Sequence, residues 1–227
     1  MNLQDYAGAI ASEALKLGAI RLSPQKPFKW ASGYYMPIYN DNRSLLADWK
    51  TRRMISEAFS LMLEDAGFEP ENIAGTATAG IAHATTLADR LHKAMSYVRS
   101  SSKDHGLGQQ IEGLGLSGSY NGCKVLVIED LISTGLSSIN AVKAVVAALG
   151  VCPYCFGIFS YGLDASRQAF SELDPKCEMR TILDYDFVLS LALESGYINQ
   201  SEHGMLSCWR SDPFGWGHAH GFEREEK

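Results

Sequence analysis

The stretch KVLVIEDLISTGLSS, residues 124–138, constrains the fold of this chain more than any other part of the sequence. Residues 125–128 are an unbroken apolar run, which is typical of a strand buried on both faces of a parallel sheet. The acidic pair Glu129 and Asp130 follows this run at once. Ligands of open α/β sheets bind beyond the carboxyl ends of the strands, so we predict a site at this pair.

Strand patterns alternate with helix patterns along most of the chain. We predict strands in NIAGTATAG, AMSYVRS, KVLVIED and YCFGIFSYG, and helices in IAHATTLADRLH and ISTGLSSINAVKAVVAALG. The segment SSKDHGLGQQIEGLGLSGSYNG is predicted to be a long connection. This alternation indicates an α/β fold in which helices flank a central, mostly parallel, twisted sheet.

The pattern predicts a single structural domain with three parts. Residues 1–47 form a small N-terminal hood, in which a helix ends at Gly18 and a turn-rich stretch of aromatic residues, Pro and Gly follows. Residues 48–200 form the core, which begins with an amphipathic helix and ends with a last helix over residues 185–194. Residues 201–227 are predicted to be a polar C-terminal tail.

Composition and charge exclude several classes of function. The formal net charge of −6 argues against a nucleic-acid-binding face. The apolar runs are too short for a membrane span, and the five dispersed cysteines do not suggest a secreted disulfide framework, so we expect a cytoplasmic protein. Cys152-Pro-Tyr-Cys155 spells a dithiol motif, but a strand rather than a helix is predicted after it, which disfavours a redox role.

The loop after the acidic pair is suited to bind a phosphate. STGLS, residues 133–137, supplies hydroxyl groups, a glycine and the first turn of a helix, whose N–H groups and dipole favour an anion. It matches neither a Walker A loop nor a dinucleotide-binding turn. A ligand that presents a 5′-phosphate to this loop and ribose hydroxyls to the Glu129 and Asp130 carboxylates would bind both parts of the site. Phosphoribosyl pyrophosphate is such a ligand. The alternative is a plain strand end followed by an N-cap.

EDLISTG after an apolar strand resembles the phosphoribosyl pyrophosphate signature of type I phosphoribosyltransferases. Other segments narrow the resemblance to orotate phosphoribosyltransferases: VRSSSKDHGLGQQIEG is similar to their mobile catalytic loop, GTATAGIAHA to their pyrophosphate loop, WASG and PIYNDNR to their N-terminal region, and LALESGYINQ to a late segment. The resemblance implies the type I phosphoribosyltransferase fold. It also implies transfer of a phosphoribosyl group from phosphoribosyl pyrophosphate to orotate, which yields orotidine 5′-monophosphate and pyrophosphate in pyrimidine synthesis.

The resemblance further implies roles for individual residues. The residues implied to bind phosphoribosyl pyrophosphate are Arg99, Lys103, His105, Glu129, Asp130, Leu131, Ile132, Ser133, Thr134, Gly135, Leu136 and Ser137. Lys103, His105 and Asp130 are the implied catalytic residues. The implied pyrophosphate loop is Thr76, Ala77, Thr78, Ala79 and Gly80, and the implied orotate-binding residues are Ser133, Ser32 and Gly33. Mg²⁺ held through the substrate, and a homodimer with sites shared between subunits, are implied as well.

The chain also departs from the family at several positions where a cation is usual. These positions are Ala31, Ala79, the pair Tyr35 and Met36, and the three serines at residues 100–102. A less cationic site leaves two alternatives open: a purine-type phosphoribosyltransferase, or a non-catalytic regulator that senses phosphoribosyl pyrophosphate or a nucleotide on the same fold. Lys103 and His105 favour an enzyme, because a sensor would not need them.

Overall fold

The computed structural model of the chain describes residues 1–30, 32–100 and 110–225. The first elements are α1 (Leu3–Lys16), β1 (Ile20–Leu22), β2 (Phe28–Lys29), β3 (Tyr35–Met36), β4 (Ile38–Asn40), a 3₁₀ helix (Asn42–Ala47) and α2 (Trp49–Ala66). The central elements are β5 (Asn72–Thr76), α3 (Ala79–Leu91), β6 (Ala94–Val98), β7 (Ile111–Glu112), β8 (Lys124–Ile132), α4 (Leu136–Ala147), β9 (Val151–Ser160), α5 (Asp164–Ser171), β10 (Glu178–Asp184) and α6 (Tyr185–Glu194). The last elements are α7 (Gln200–Trp209) and α8 (Trp216–Ala219).

The main sheet has the strand order β10-β9-β8-β5-β6-β7 within the described residues. All its pairings are parallel except β6 with β7, which are antiparallel, so the prediction of a mostly parallel sheet is confirmed. After β5 the chain passes through α3 to β6, which lies next to β5 on one side. After β8 it passes through α4 to β9, which lies next to β8 on the opposite side. The adjacent strands β5 and β8 therefore form a topological switch point, where ligands of such sheets bind.

Both faces of β8 are covered, as its apolar run predicts. Val125 and Val127 belong to a core cluster with α4 and α5, whereas Leu126 and Ile128 belong to a second cluster with α1, α2, α3 and α6. A strand buried on both faces has no polar side to show in its sequence. This explains why residues 125–128 contain no alternation between apolar and polar residues.

The carboxyl end of β8 differs from the prediction. β8 extends to Ile132 because it continues to pair with β9 there, whereas its pairing with β5 ends at Ile128. β8 therefore runs two residues past Asp130, at which the predicted strand KVLVIED ended. β5 ends at Thr76, one residue past its last pairing with β8, so Asp130 lies beyond the carboxyl end of β5.

The prediction that residues 185–194 form the last helix is wrong, because α7 and α8 follow it. α7 begins with a capping box, in which the Asn199 side chain accepts from the Glu202 N–H at 3.0 Å and the Glu202 carboxyl accepts from the Asn199 N–H at 2.9 Å. This signal is visible in the sequence as Asn-Gln-Ser-Glu. Trp209 and Trp216 of the expected polar tail are both buried. The division of the domain at residues 47 and 200 stays a prediction.

Three of the five cysteines, Cys152, Cys155 and Cys177, are buried, whereas Cys123 is half-buried and Cys208 is exposed. Cys155 lies in the predicted strand, β9, and Cys152 lies in β9 as well because β9 begins at Val151 rather than at the predicted Tyr154. All five cysteines of the chain are free thiols. The described ranges contain no helix with both the length and the apolar character that a membrane crossing requires.

Candidate active site

Three adjoining cavities open at the carboxyl ends of β5 and β8. The aromatic cavity, of about 380 Å³, is lined by Trp30, Ser32, Tyr39, Asn40, Leu131, Ser133 and Tyr161. The acidic cavity, of about 340 Å³, shares Asn40 and Leu131 with it and also contains Asp130, Ser137 and residues 77–79. The arginine cavity, of about 180 Å³, shares Ala77 and Ser137 with the acidic cavity and contains Arg99. Because neighbouring cavities share lining residues, the three together are called the groove below.

Glu129 links the two strands of the switch point. Its side chain is buried, and its Oε1 accepts a hydrogen bond of 2.6 Å from the Thr76 hydroxyl and one of 3.1 Å from the Asp130 N–H. Its Oε2 accepts a bond of 3.3 Å from the Ser138 hydroxyl. Thr76 ends β5 and Ser138 lies in the first turn of α4, so this carboxyl group ties three elements together.

Asp130 has a different environment from its neighbour. It is half-buried at the wall of the acidic cavity, and Asn42 Nδ2 donates to its carbonyl oxygen at 2.6 Å. Burial raises the pKa of the Asp130 carboxyl to about 7, with further contributions from the charge of Glu129 and a hydrogen bond to it. Near neutral pH this carboxyl group is therefore able to gain or lose a proton.

The loop after β8 has the geometry predicted for a phosphate site. Gly135 has φ of +84°, a left-handed conformation that glycine adopts without strain, and it precedes the first turn of α4. Ser137 is exposed and lines both the acidic and the arginine cavity. The N–H groups at the start of α4 thus lie next to the groove, where they favour a bound anion.

The loop between β5 and α3 packs tightly against β8. A Cβ atom on Gly80 would lie 2.5 Å from the Ile128 carbonyl oxygen and 2.5 Å from Thr76 Oγ1, so only glycine fits. The peptide bond between Ala77 and Thr78 is cis. Residues 77–79 line the acidic cavity beside Asp130, so the loop and the carboxyl group share one ligand space.

The comparison with known proteins identifies the family. The phosphoribosyl transferase domain family matches residues 44–163. The orotate phosphoribosyltransferase of Cutibacterium acnes is 41% identical over 216 residues, which cover 95% of this chain and 97% of the relative. The enzyme of the same name from Oceanobacillus iheyensis is 45% identical over 201 residues, covering 88% of this chain and 96% of the relative. This chain belongs to the orotate phosphoribosyltransferase family.

Solved structures agree on the fold. The orotate phosphoribosyltransferase of Aeropyrum pernix superposes with a TM-score of 0.67 at 24% identity, over 84% of this chain and 99% of that one. The type I phosphoribosyltransferase fold predicted from the sequence is thereby confirmed. Membership of the phosphoribosyltransferase family implies a requirement for a divalent metal.

Most of the predicted site residues that the structure describes lie at the groove. Thr76, Ala77, Thr78, Ala79, Arg99, Glu129, Asp130, Leu131, Leu136, Ser137, Ser32 and Ser133 line one or more of the three cavities. Ile132 is buried in the core against Gly157, so only its backbone can face a ligand. The predicted catalytic residues Lys103 and His105 lie outside the described residues.

Gly33 and Arg99 have contacts that the sequence did not predict. Gly33 is buried, and its carbonyl accepts from the Glu225 N–H at 3.1 Å, so it faces the C-terminal segment rather than the aromatic cavity. Arg99 Nη1 lies 3.5 Å from Glu112 Oε1 on the adjacent β7. Arg99 must therefore exchange or share this partner if it binds an anion.

Several groove residues were missed by the sequence analysis. Asp41 and Arg43 form a two-pronged ion pair, with Nε to Oδ1 at 2.6 Å, and Arg43 holds the pKa of Asp41 below its usual value. Both line the acidic cavity, and both Asn40 side-chain polar atoms are buried there without a hydrogen-bond partner. These residues belong to PIYNDNR, the segment that carried part of the family resemblance, so a signal for them was present.

The carboxyl groups do not form a metal site on their own. Over residues 1–30, 32–100 and 110–225, no group of three or more His, Cys, Asp or Glu side chains is arranged to hold a metal ion. Asp130 offers a carboxyl group to the acidic cavity. This donor set fits a cation that takes most of its ligands from a substrate, since hard divalent cations bind oxygen atoms of carboxylates, phosphates and water.

Replacing Thr76 with valine tests the link through Glu129. We expect Thr76→Val to lower the free energy of unfolding by about 1–3 kcal/mol, because a buried carboxyl oxygen loses its donor. Thr85 is a matched control, since its hydroxyl donates to the Ile81 carbonyl at 2.9 Å on an exposed part of α3. Thr85→Val should change stability by less than about 0.5 kcal/mol. Equal urea midpoints for the two variants would contradict the link.

Proposed function

We propose that this chain transfers the phosphoribosyl group of phosphoribosyl pyrophosphate to orotate, forming orotidine 5′-monophosphate and pyrophosphate in pyrimidine synthesis. One observation carries the proposal. In a chain 41–45% identical to orotate phosphoribosyltransferases over most of its length, an aromatic cavity adjoins an acidic cavity at the switch point of the sheet. The first has the lining that a planar base needs, and the second has the polar groups that a ribose phosphate needs.

We propose a place in the groove for each part of the substrate. The base lies in the aromatic cavity against Trp30 and Tyr161, with Ser32 and Ser133 available for hydrogen bonds. The 5′-phosphate binds residues 133–137 at the start of α4, and Asp130 accepts hydrogen bonds from the ribose hydroxyls. Glu129 holds β5 and α4 in position around this site, because it accepts hydrogen bonds from Thr76 and Ser138.

In the reaction, a ring nitrogen of orotate releases its proton to solvent and forms a bond to ribose C1 as the bond from C1 to the pyrophosphate oxygen breaks. Positive charge develops on the ribose ring, and the nearby Asp130 carboxylate stabilises it. Negative charge develops on pyrophosphate, where the N–H groups of the loop at residues 76–80 and the guanidinium of Arg99 stabilise it. Lys103 and His105 supply further donors to pyrophosphate in this proposal.

Mg²⁺ is the proposed divalent metal. When bound, it would offset part of the negative charge that develops on the leaving group. The acidic cavity can contribute the Asp130 carboxyl group to such an ion. We also propose a cytoplasmic homodimer in which Lys103 and His105 of each subunit act in the neighbouring site.

The direct test is the loss of orotate absorbance when the protein, phosphoribosyl pyrophosphate and Mg²⁺ are mixed. We expect turnover that stops on chelation of the metal and returns when Mg²⁺ is added. Turnover with a purine base but not with orotate, at high enzyme concentration, would overturn the substrate and keep the phosphoribosyltransferase class. Failure with every base would favour a regulator that only binds phosphoribosyl pyrophosphate.

A further inference from the structure

The C-terminal segment, residues 199–225, packs behind the aromatic cavity. Trp209 at the end of α7 is fully buried, although its surroundings in the sequence are polar. Its indole ring lies 6.4 Å from the ring of Trp30 and 5.5 Å from that of Tyr161, both measured between centroids. Trp30 and Tyr161 are two of the three aromatic residues that line the cavity, the third being Tyr39, and the ring centroids of Trp30 and Tyr161 are 5.5 Å apart. Trp209 therefore supports these two aromatic walls from the side away from the ligand space.

Trp209 is itself held from several directions. Its Nε1 donates to the Met36 sulfur at 3.2 Å, and its ring lies 4.9 Å from that of Tyr185 at the start of α6. Met36 belongs to β3, which pairs with β2 in the hairpin that leads into Trp30. Tilted and edge-to-face packing of this kind fixes the orientation of each ring.

A second contact joins the end of the same segment to the hairpin. The Glu225 carboxylate accepts hydrogen bonds from Lys29 Nζ and from the Tyr35 hydroxyl. The Glu225 N–H donates to the Gly33 carbonyl, and a Cβ atom on Gly33 would lie 2.1 Å from the Glu225 carbonyl oxygen. The backbone at Glu225 thus packs directly against Gly33, next to Ser32 in the turn of the hairpin.

We propose that residues 199–225 are part of the base site: Trp209 positions Trp30 and Tyr161, and Glu225 holds the hairpin that presents Ser32. This inference rests on the proposed function, because it assigns the base to the aromatic cavity. The segment sets the affinity for the base and leaves the affinity for phosphoribosyl pyrophosphate nearly unchanged. The acidic cavity is built instead from the end of β4, residues 41–43, the loop at residues 77–79 and β8.

The physical reason is preorganisation. A planar ring gains most from aromatic walls that already stand at the correct spacing, and each wall that must be ordered on binding lowers affinity. Trp209 removes this cost for Trp30 and Tyr161. Since the two walls adjoin only the base, the effect should be confined to that substrate.

The first experiment compares Trp209→Phe with Phe59→Leu. Phe59 is equally buried, and it packs on Phe156 in the core with ring centroids 6.4 Å apart. We expect Trp209→Phe to raise the KM for orotate by about tenfold and the KM for phosphoribosyl pyrophosphate by less than about twofold. Phe59→Leu should lower the melting temperature to a similar extent without changing either KM. If Trp209 only stabilised the fold, the two variants would have the same KM values.

The second experiment tests the contact of Glu225 with a variant that does not disturb the core. Glu225→Gln should raise the KM for orotate by no more than about fivefold, because an ion pair exposed to solvent is weak. Glu223→Gln is the matched control, since Glu223 is exposed and pairs with His218 instead. It should leave both KM values unchanged.

The outcomes separate this inference from the proposed function. A wild-type enzyme that uses orotate, with unchanged KM values in both Trp209→Phe and Glu225→Gln, would overturn the inference alone. A parallel rise of both KM values would also overturn it, because the effect would then be general. Absence of orotate turnover by the wild-type protein would overturn the proposed function and this inference with it.

Discussion

Replacing Asp130 with asparagine is expected to lower turnover by about 10²- to 10³-fold, the loss typical of removing one group that stabilises transition-state charge. Asp130 is the half-buried carboxyl group at the wall of the acidic cavity, where the ribose is proposed to bind. Asparagine keeps the size of the side chain but cannot place a negative charge beside the ribose ring. Steady-state rates with orotate and phosphoribosyl pyrophosphate measure the effect.

The same variant should be more stable than the wild type at high pH. Burial raises the folded-state pKa of Asp130 to about 7, above the unfolded value near 4, so the folded protein retains a proton that the unfolded chain has lost between these values. The contribution of Asp130 to stability therefore falls as pH rises from about 4 to about 7. Asp130→Asn removes this pH-dependent loss of stability. We expect its free energy of unfolding to exceed that of the wild type by on the order of 2–4 kcal/mol at pH 8 and to equal it near pH 4.

A control and a rate profile complete this test. Asp164 has a side chain that is 99% exposed, so Asp164→Asn should alter neither rate nor stability appreciably. For the wild type, kcat/KM for phosphoribosyl pyrophosphate should decline below about pH 7 as Asp130 gains its proton, and this limb should be missing from Asp130→Asn. A variant that is equally active, or that is destabilised at pH 8, would exclude the proposed role.

Replacing Lys103 with alanine is expected to lower kcat by about 10²-fold or more, with a modest change in the affinity for phosphoribosyl pyrophosphate. The role of Lys103 comes from the resemblance of its segment to the catalytic loop of the family. Pyrophosphate gains negative charge as it leaves, so a cation that contacts it in the transition state acts on rate more than on binding. Lys143→Ala, on the exposed side of α4, is the charge-matched control.

This variant also discriminates between an enzyme and a sensor. An enzyme should lose rate while it retains binding of phosphoribosyl pyrophosphate, which calorimetry can measure separately. A sensor would have little rate to lose and would bind the ligand as before. Loss of binding without loss of kcat would contradict the role proposed for Lys103.

The two variants together test the shared sites. In a mixed dimer of Lys103→Ala and Asp130→Asn subunits, sharing places both defects in one site and leaves the other intact. Turnover should therefore reappear when the two inactive proteins are unfolded and refolded together. If each site used only its own subunit, the mixture would stay inactive.

The sequence by itself determined the class of the fold and the position of the phosphate loop. Residues 125–128 have to be buried on both faces because they offer no polar side, and the alternation of strands and helices then requires a parallel sheet. Gly135 and the start of α4 follow from local conformational preference. Signals of this kind act over a few residues, so they can be read along the chain.

The different environments of the two adjacent acids, and the packing behind the aromatic cavity, appear only in the tertiary structure. Glu129 and Asp130 are neighbours of the same chemical type and both line the acidic cavity, yet Glu129 is buried and accepts hydrogen bonds from Thr76 and Ser138, whereas Asp130 is half-buried. Trp209 lies among polar residues in the sequence but packs against Trp30, 179 positions earlier. Both outcomes depend on contacts between distant segments, whose side chains meet only when the whole sheet and its covering helices are assembled.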